Sequence, residues 1–199
     1  MIYIMGAGGH AKVVADILES CHFSVAGFFD NDVAKTIWSY PTYQWPGPFI
    51  INEDTLVLAI GSNETRQKLS TALQAKFVKA IHPAATVARR VIVGEGTVIM
   101  AGATINTDTT IGKHCIINTS ASVDHDCSIG DFVHISPNAT LSGTVRVGHL
   151  SHIGAGATVI QNITIGSNVT IGAGAVVVSD IPDNCVAVGC PAKIIKTKN

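Results

Sequence analysis

In the C-terminal two thirds of this 199-residue chain, ionisable side chains gather once, in the run Asn118-Thr119-Ser120-Ala121-Ser122-Val123-Asp124-His125-Asp126-Cys127-Ser128-Ile129-Gly130-Asp131-Phe132-Val133-His134. His125 stands directly before Asp126. A carboxylate beside an imidazole orients the ring and supports its protonated form, which makes a general base poised near neutral pH. His134 follows nine residues later, and His152 eighteen residues after that. A second constellation lies near the N-terminus. Gly6-Ala7-Gly8-Gly9-His10-Ala11 fits the Gly-x-Gly-x-x-(Gly/Ala) pattern, and Asp30-Asn31 follows about twenty residues on. Such a loop lets backbone N–H groups approach a phosphate at a helix N-terminus, while an acidic side chain accepts from a hydroxyl.

The elements that hold these residues follow from one repeat. From Val87, every sixth residue to Val177 is aliphatic, sixteen in unbroken register: Val87, Val93, Ile99, Ile105, Ile111, Ile117, Val123, Ile129, Ile135, Leu141, Val147, Ile153, Val159, Ile165, Ile171 and Val177. Four residues after each stands a small or β-branched residue, such as Thr97, Ala103, Cys115, Ala139 or Ala157. A period of six fits a parallel β-helix in which each hexapeptide gives one short strand and one corner, and three close a triangular coil of eighteen residues. The aliphatic and the small residue point inward, and the second and third residues after the aliphatic turn the corner. His125 and Asp126 are then both outward at one corner. His134 lies half a coil away, on the opposite side of the prism, so the two meet only across an interface with another subunit. His152 stacks one coil beyond His134. Cys127 takes an inward position and is rejected as a nucleophile.

Residues 1–83 lack this period. Ile2–Met5, Val25–Phe29, Leu56–Ile60 and Phe77–Ile81 read as strands. Lys12–Ser20 reads as a helix with Val13, Val14, Ile17 and Leu18 as its apolar face, and Glu64 to about Ala75 as a second helix capped by Ser62 or Asn63. Alternating strands and helices imply a small parallel α/β sheet of about four strands, half of a full dinucleotide fold and better sized for a nucleotide-sugar. Residues 36–50 hold both tryptophans and three of the seven prolines and read as an extended loop. The expected organisation is an α/β domain at 1–83, a β-helix at 84–180 and a C-terminal tail at 181–199.

Composition excludes several classes. Mean hydropathy is +0.37, but no uninterrupted apolar run reaches the roughly 18 residues of a spanning helix. The N-terminus has no signal-peptide character, so the chain reads as soluble, cytoplasmic and not membrane-inserted. Net charge is −1 with no basic stripe, which excludes nucleic acid. Five cysteines without a Cys-x-x-Cys pair read as buried thiols in a reducing compartment. Only 10 of residues 87–180 are charged, so part of the prism surface is expected to be buried as well.

The hexapeptides resemble those of acyltransferases built as left-handed β-helices and assembled as trimers. The resemblance sharpens over Gly8-Gly9-His10, Asp30-Asn31, the 117–134 run and the tail Val188-Gly189-Cys190-Pro191-Ala192-Lys193. Together these look like the family of sialic-acid O-acetyltransferases and nucleotide-amino-sugar (bacillosamine-pathway) N-acetyltransferases, over nearly the whole chain. The resemblance implies a left-handed β-helix, a homotrimer with active sites between subunits, acetyl-CoA as co-substrate and no metal. It implies His125 as base and Asp126 as the acid that raises its basicity, where the bacillosamine enzyme carries Glu. His134 matches the residue at the thioester, and Ala155 and Ala173 the hold on the pantetheine arm; Gly143 and Lys193 complete the cofactor set. Gly8, Gly9, His10, Asp30, Asn31 and Gly61 match the nucleotide-sugar site, and Asn118 joins the substrate set. The implied acceptor is a UDP-linked 4-amino-4,6-dideoxy sugar; sialic acid and GDP-perosamine are the alternatives. A γ-class carbonic-anhydrase-like metal enzyme is a remote alternative whose ligand spacing the eight histidines do not offer. A non-catalytic sugar-nucleotide-binding trimer is another, against which the His125-Asp126 corner argues.

Overall fold

The computed structural model describes residues 1–45, 55–73 and 75–198. Its N-terminal part is a five-stranded, wholly parallel sheet: β1 (Ile2–Met5), β2 (Val25–Asp30), β3 (Thr42–Gln44), β4 (Thr55–Leu58) and β5 (Lys76–Phe77), in the order β3-β2-β1-β4-β5. The chain moves outward from β1 to one edge, then returns to build the other. The C-terminal ends of β1 and β4 therefore frame the crevice where such sheets take ligands. Helix α1 (Gly9–Ser20) buries Ala11, Val14, Ala15, Ile17 and Leu18. Val13, expected in that face, is exposed at 39%. Helix α2 (Asn63–Ala72) is capped by the Ser62 hydroxyl, which accepts from Thr65 N–H at 3.3 Å, and it ends earlier than its pattern suggested.

Two further differences have simple causes. The segment expected as a loop around residues 36–50 supplies β3, because Tyr43 and Trp45 pack tilted and edge-on against Phe29 with centroids 5.7 and 6.0 Å apart; its last residues, 46–50, lie outside the described residues. The strand expected over Phe77–Ile81 is two strands in different sheets. Lys76–Phe77 pairs with β4, whereas Ala80–Ile81 pairs with Val98–Ile99 and is the first rung of the solenoid.

From Ala80 the chain is a left-handed parallel β-helix. Its first face runs through Ala80–Ile81, Val98–Ile99, Ile116–Ile117, His134–Ile135, His152–Ile153 and Thr170–Ile171 to Cys185–Val188, with Lys193–Thr197 added antiparallel. The second face runs from Thr86–Val87 to Val176–Val177, and the third from Ile92–Val93 to Thr164–Ile165. Hexad aliphatics from Ile99 to Val177 are at most 3% exposed. Each such burial contributes about 1.5–3 kcal/mol, which a thin prism with few aromatics needs. Val87 and Val93, at the open end, are only partly covered. The third residue after each aliphatic adopts positive φ at corner after corner, Asp108, His114, Ser120, Asp126 and Phe132 among them.

The outer side of the first face is not free. Ala80, Val98, Met100 and Ile116 share one buried cluster with α1 and the underside of the sheet. Part of the prism surface expected to be covered is thus covered by the chain's own N-terminal domain.

Candidate active site

Ser122–Val123 on the second face and Ser128–Ile129 on the third face fix the corner between them. This corner is braced from inside and outside. Buried Thr109 donates its hydroxyl to Asp124 O at 2.7 Å and accepts from Cys127 N–H at 3.1 Å. Asn106, one coil earlier, donates to Asp124 Oδ1 at 2.7 Å, and the same oxygen accepts the backbone N–H of His125 at 2.8 Å. His125 is half exposed, and its Nδ1 lies 2.7 Å from Asp126 Oδ2. That pairing puts the proton on Nδ1 and leaves Nε2 as the basic nitrogen. The Asp126 hydrogen bond, helped by the charge of Asp124, raises the imidazole above its ordinary pKa of 6.5. Asp126 reaches this position from a backbone at φ 58°, which Asp tolerates better than most residues.

Gly143, one coil on, forms the floor beneath the ring. A Cβ there would stand 2.7 Å from His125 Cε1 and 2.8 Å from Nε2, so glycine is what lets the imidazole lie flat on the solenoid. With Asp124, Ser142, Thr144, Gln161 and Asn162, these residues line an open groove of about 360 Å³. Cys127 points inward, donates to Ser142 O at 3.3 Å, and its thiol is pushed up by burial.

His134 lies on the first face, opposite this corner, and stacks on His152 with ring centroids 4.6 Å apart. Its Nε2 meets Asn118 Nδ2 at 3.1 Å, and its Nδ1 is buried without a partner. Burial, aided by His152, Arg66 and His10, pushes its pKa down to about 3. His152 meets the Ser136 hydroxyl at 2.7 Å. His10, at the start of α1, has a buried, unpartnered Nε2 and is pushed down to about 4, by burial first and Arg66 second. The first face thus holds neutral imidazoles where the N-terminal domain meets the solenoid.

The nucleotide-type loop closes on itself. Asp30 accepts from Ala7 N–H at 2.8 Å, Asp32 N–H at 3.0 Å and Lys35 Nζ at 3.0 Å. Burial alone would raise its pKa, but these donors hold it below the usual value. Gly6, at φ 103°, carries the tight turn, and a Cβ there would strike Ile60 and Ala59 O. A cavity of about 190 Å³ opens beside it, lined by Gly6, Asp30, Asn31, Trp45, Ile60 and Thr65. Gly8, Gly9 and Gly61 border open space.

Within one chain the candidate residues therefore fall into separate places. His125, Asp126 and Gly143 share one corner. Asp30 and Asn31 line the cavity beside Gly6, Gly61 borders a separate groove with His152, Gly8, Gly9 and His10 open α1, and Asn118 and His134 pair on the first face near His10. Ala155 and Ala173 are exposed on successive coils at the corner between the first and second faces, and Lys193 is exposed in the tail strand. Three contributors had not been singled out: Gly6, the Asn106–Asp124 brace and Arg66. The first stood inside the quoted motif. The brace spans eighteen residues, and Arg66 reaches carbonyls 48 and 66 residues away as well as near ones, which a local pattern does not reveal. Among the described residues, no group of three or more His, Cys, Asp or Glu side chains is placed to hold a metal.

A solenoid of hexapeptide coils with an imidazole–carboxylate corner, joined to a half-Rossmann sheet, defines a hexapeptide-repeat transferase. Family models agree on both parts: PglD N-terminal domain over residues 1–73, and bacterial transferase hexapeptide (six repeats) over residues 108–143. A histidine-to-asparagine variant of perosamine N-acetyltransferase from Caulobacter crescentus, solved with CoA and GDP-perosamine, is 41% identical with a TM-score of 0.93, over 98% of this chain and 96% of that one. The acetyltransferase domain of PglB from Neisseria gonorrhoeae FA1090, solved with acetyl coenzyme A, is 38% identical with a TM-score of 0.90, over 98% of each chain. UDP-N-acetylbacillosamine N-acetyltransferase of Bacillus subtilis (strain 168) is 41% identical over 110 residues, and the match spans about half the length of that curated relative. The chain belongs to the hexapeptide-repeat sugar N-acetyltransferases with a PglD-type N-terminal domain.

Proposed function

We propose that the protein transfers the acetyl group of acetyl-CoA to the 4-amino group of a nucleotide-linked 4-amino-4,6-dideoxy sugar, with UDP as the first choice of nucleotide, for bacterial glycan or glycoprotein synthesis. One observation carries this reading: His125 Nδ1 held at 2.7 Å by Asp126, with Nε2 over the Gly143 floor of an open groove. The sugar amine attacks the thioester carbonyl, a C–N bond forms, and His125 Nε2 takes the amine proton. Asp126 supports the resulting imidazolium. The C–S bond then breaks, and the proton passes from His125 to the departing thiolate. A backbone N–H or His134 stabilises the transient oxyanion. No acyl-enzyme is required, in keeping with the inward Cys127.

His125 and His134 lie on opposite sides of the prism, so the reading includes a homotrimer in which the His125 corner of one subunit faces the His134 face of the next. The reading includes a cytoplasmic location, where acetyl-CoA and sugar nucleotides are supplied. GDP is the second reading for the nucleotide, favoured by the GDP-perosamine complex of a relative that aligns over nearly the full chain. A thiol-release screen with acetyl-CoA across UDP- and GDP-linked 4-amino sugars tests both. Turnover with one of them is expected, and none with free sialic acid. Turnover of sialic acid alone would replace the amine acceptor with a hydroxyl.

A further inference from the structure

Arg66 is the largest fully buried side chain among the described residues, at 1% exposure, and no carboxylate pairs with it. A buried charge is costly unless its hydrogen-bonding capacity is met in full. Here all five guanidinium N–H donors are used. Nε donates to His114 O at 2.9 Å. One terminal nitrogen donates to Ile60 O at 3.0 Å and Gly61 O at 3.1 Å, and the other to Asn63 Oδ1 at 2.8 Å and Phe132 O at 3.0 Å. Asn63 in turn donates its amide to Leu150 O at 3.0 Å and Ser151 O at 3.1 Å.

The acceptors have an order. His114, Phe132 and Leu150 are eighteen residues apart, at the same corner of three successive coils, and all three have positive φ. The coil-to-coil ladder uses their N–H groups, as in Phe132 N to Lys113 O, but leaves their carbonyls free. Two residues one turn apart on α2, Asn63 and Arg66, take those three carbonyls in sequence. The donors thus select both a corner and a rung. The same helix lines the nucleotide-type cavity through Thr65 and Leu69, and Ser62 and Asn63 border a groove that reaches His152.

We propose that Arg66, with Asn63, is a positioning residue that sets the register of the nucleotide-binding domain on the solenoid, and so the distance from the bound sugar nucleotide to the His134 face. The claim rests on the acetyltransfer reading above. The guanidinium also lies close enough to help burial keep His10, His134 and His152 neutral. Nucleotide affinity is assigned to the cavity beside Gly6 and Asp30, whose lining Arg66 touches only through the main-chain carbonyl of Ile60. Delivery of the amine belongs to the register. The two can therefore be measured apart.

The experiment compares wild type with Arg66→Met and Arg66→Lys in the full-length protein. It measures UDP and GDP binding by calorimetry, acetyl transfer to the preferred sugar nucleotide, and amide hydrogen exchange. Arg66→Met is expected to lower kcat/KM for the sugar nucleotide at least tenfold, leave nucleotide Kd within threefold, and speed exchange in α2 while the solenoid core stays protected. Arg66→Lys keeps the charge but has only three donors; it is expected to recover part of the transfer rate, and it serves alone if the Met variant does not fold. Equal losses in nucleotide binding and transfer, or transfer within threefold of wild type in every folded variant, would overturn the proposal. If wild type transfers acetyl to no amino sugar, the functional reading falls. In that case unchanged α2 exchange in the variants would still refute the docking role, and faster exchange would uphold it.

Discussion

The two histidine sites of this solenoid share one scaffold and half a coil of sequence, yet they have opposite chemistry. At the corner between the second and third faces, His125 is exposed, stands between Asp124 and Asp126, and has a raised pKa. On the first face, His134 is roofed by the N-terminal domain, stacks on another imidazole, and has its pKa pushed down to about 3. The first can take and return a proton near neutrality. The second stays neutral and can only donate or accept a hydrogen bond. Position on the prism, and not the residue type, decides which role an imidazole plays.

The sharpest way to break this contrast is to remove each ring. His125→Ala is expected to lower kcat on the order of 10²–10⁴-fold, read as thiol release from acetyl-CoA, since a general base is lost. An unchanged kcat would end its assignment as base. If the two rings serve one site across a subunit boundary, co-assembling His125→Ala chains with His134→Ala chains should restore about a quarter of the sites in random trimers; no recovery would mean the rings work independently. Gly143→Ala pushes a methyl into the imidazole and should cost about 10²-fold through misplacement of the base, with the fold intact by circular dichroism. Asp126→Asn tests the raised basicity. His125 must be unprotonated to act, so activity falls as pH drops through its pKa; losing the carboxylate lowers that pKa and moves the acidic limb to lower pH. A limb that stays in place would point to another group.

The smallest effect concerns stability. The depressed pKa of His134 means that the unfolded chain binds a proton more readily than the native one below about pH 6.5, so its contribution is present above that pH and is lost toward the folded value of about 3. His134→Gln should therefore lessen the drop in Tm between pH 7 and pH 5 by about 4–8 °C, the equivalent of about 2 kcal/mol in a chain of this size. An identical drop in both proteins would show that other groups carry it.

The solenoid was legible in the sequence because its rule is local and strict: an aliphatic every six residues has few other structures to form. The His125-Asp126 corner was legible for the same reason, since register alone turns both side chains outward. What escaped reading depends on partners distant in sequence, and for Arg66 these are mostly main chain. Arg66 sits in a polar helix where its pattern suggests solvent, and four of its five acceptors are main-chain carbonyls, which no residue type announces. The strand expected over Phe77–Ile81 was divided because its two ends are claimed by different sheets. The aromatic segment supplied β3 because Tyr43 and Trp45 found Phe29.

The coil also carries two frames at once. Burial repeats every six residues, but direction repeats only every eighteen. An insertion of six residues between His125 and His134 would keep every aliphatic inward and leave the prism sound, yet it would turn everything downstream by one face. An insertion of eighteen would restore the bearing and merely shift the remainder along the axis by one rung, about 4.8 Å. A solenoid can therefore drift in length without unfolding and still lose its chemistry, because the frame that holds it together is three times finer than the frame that aims it.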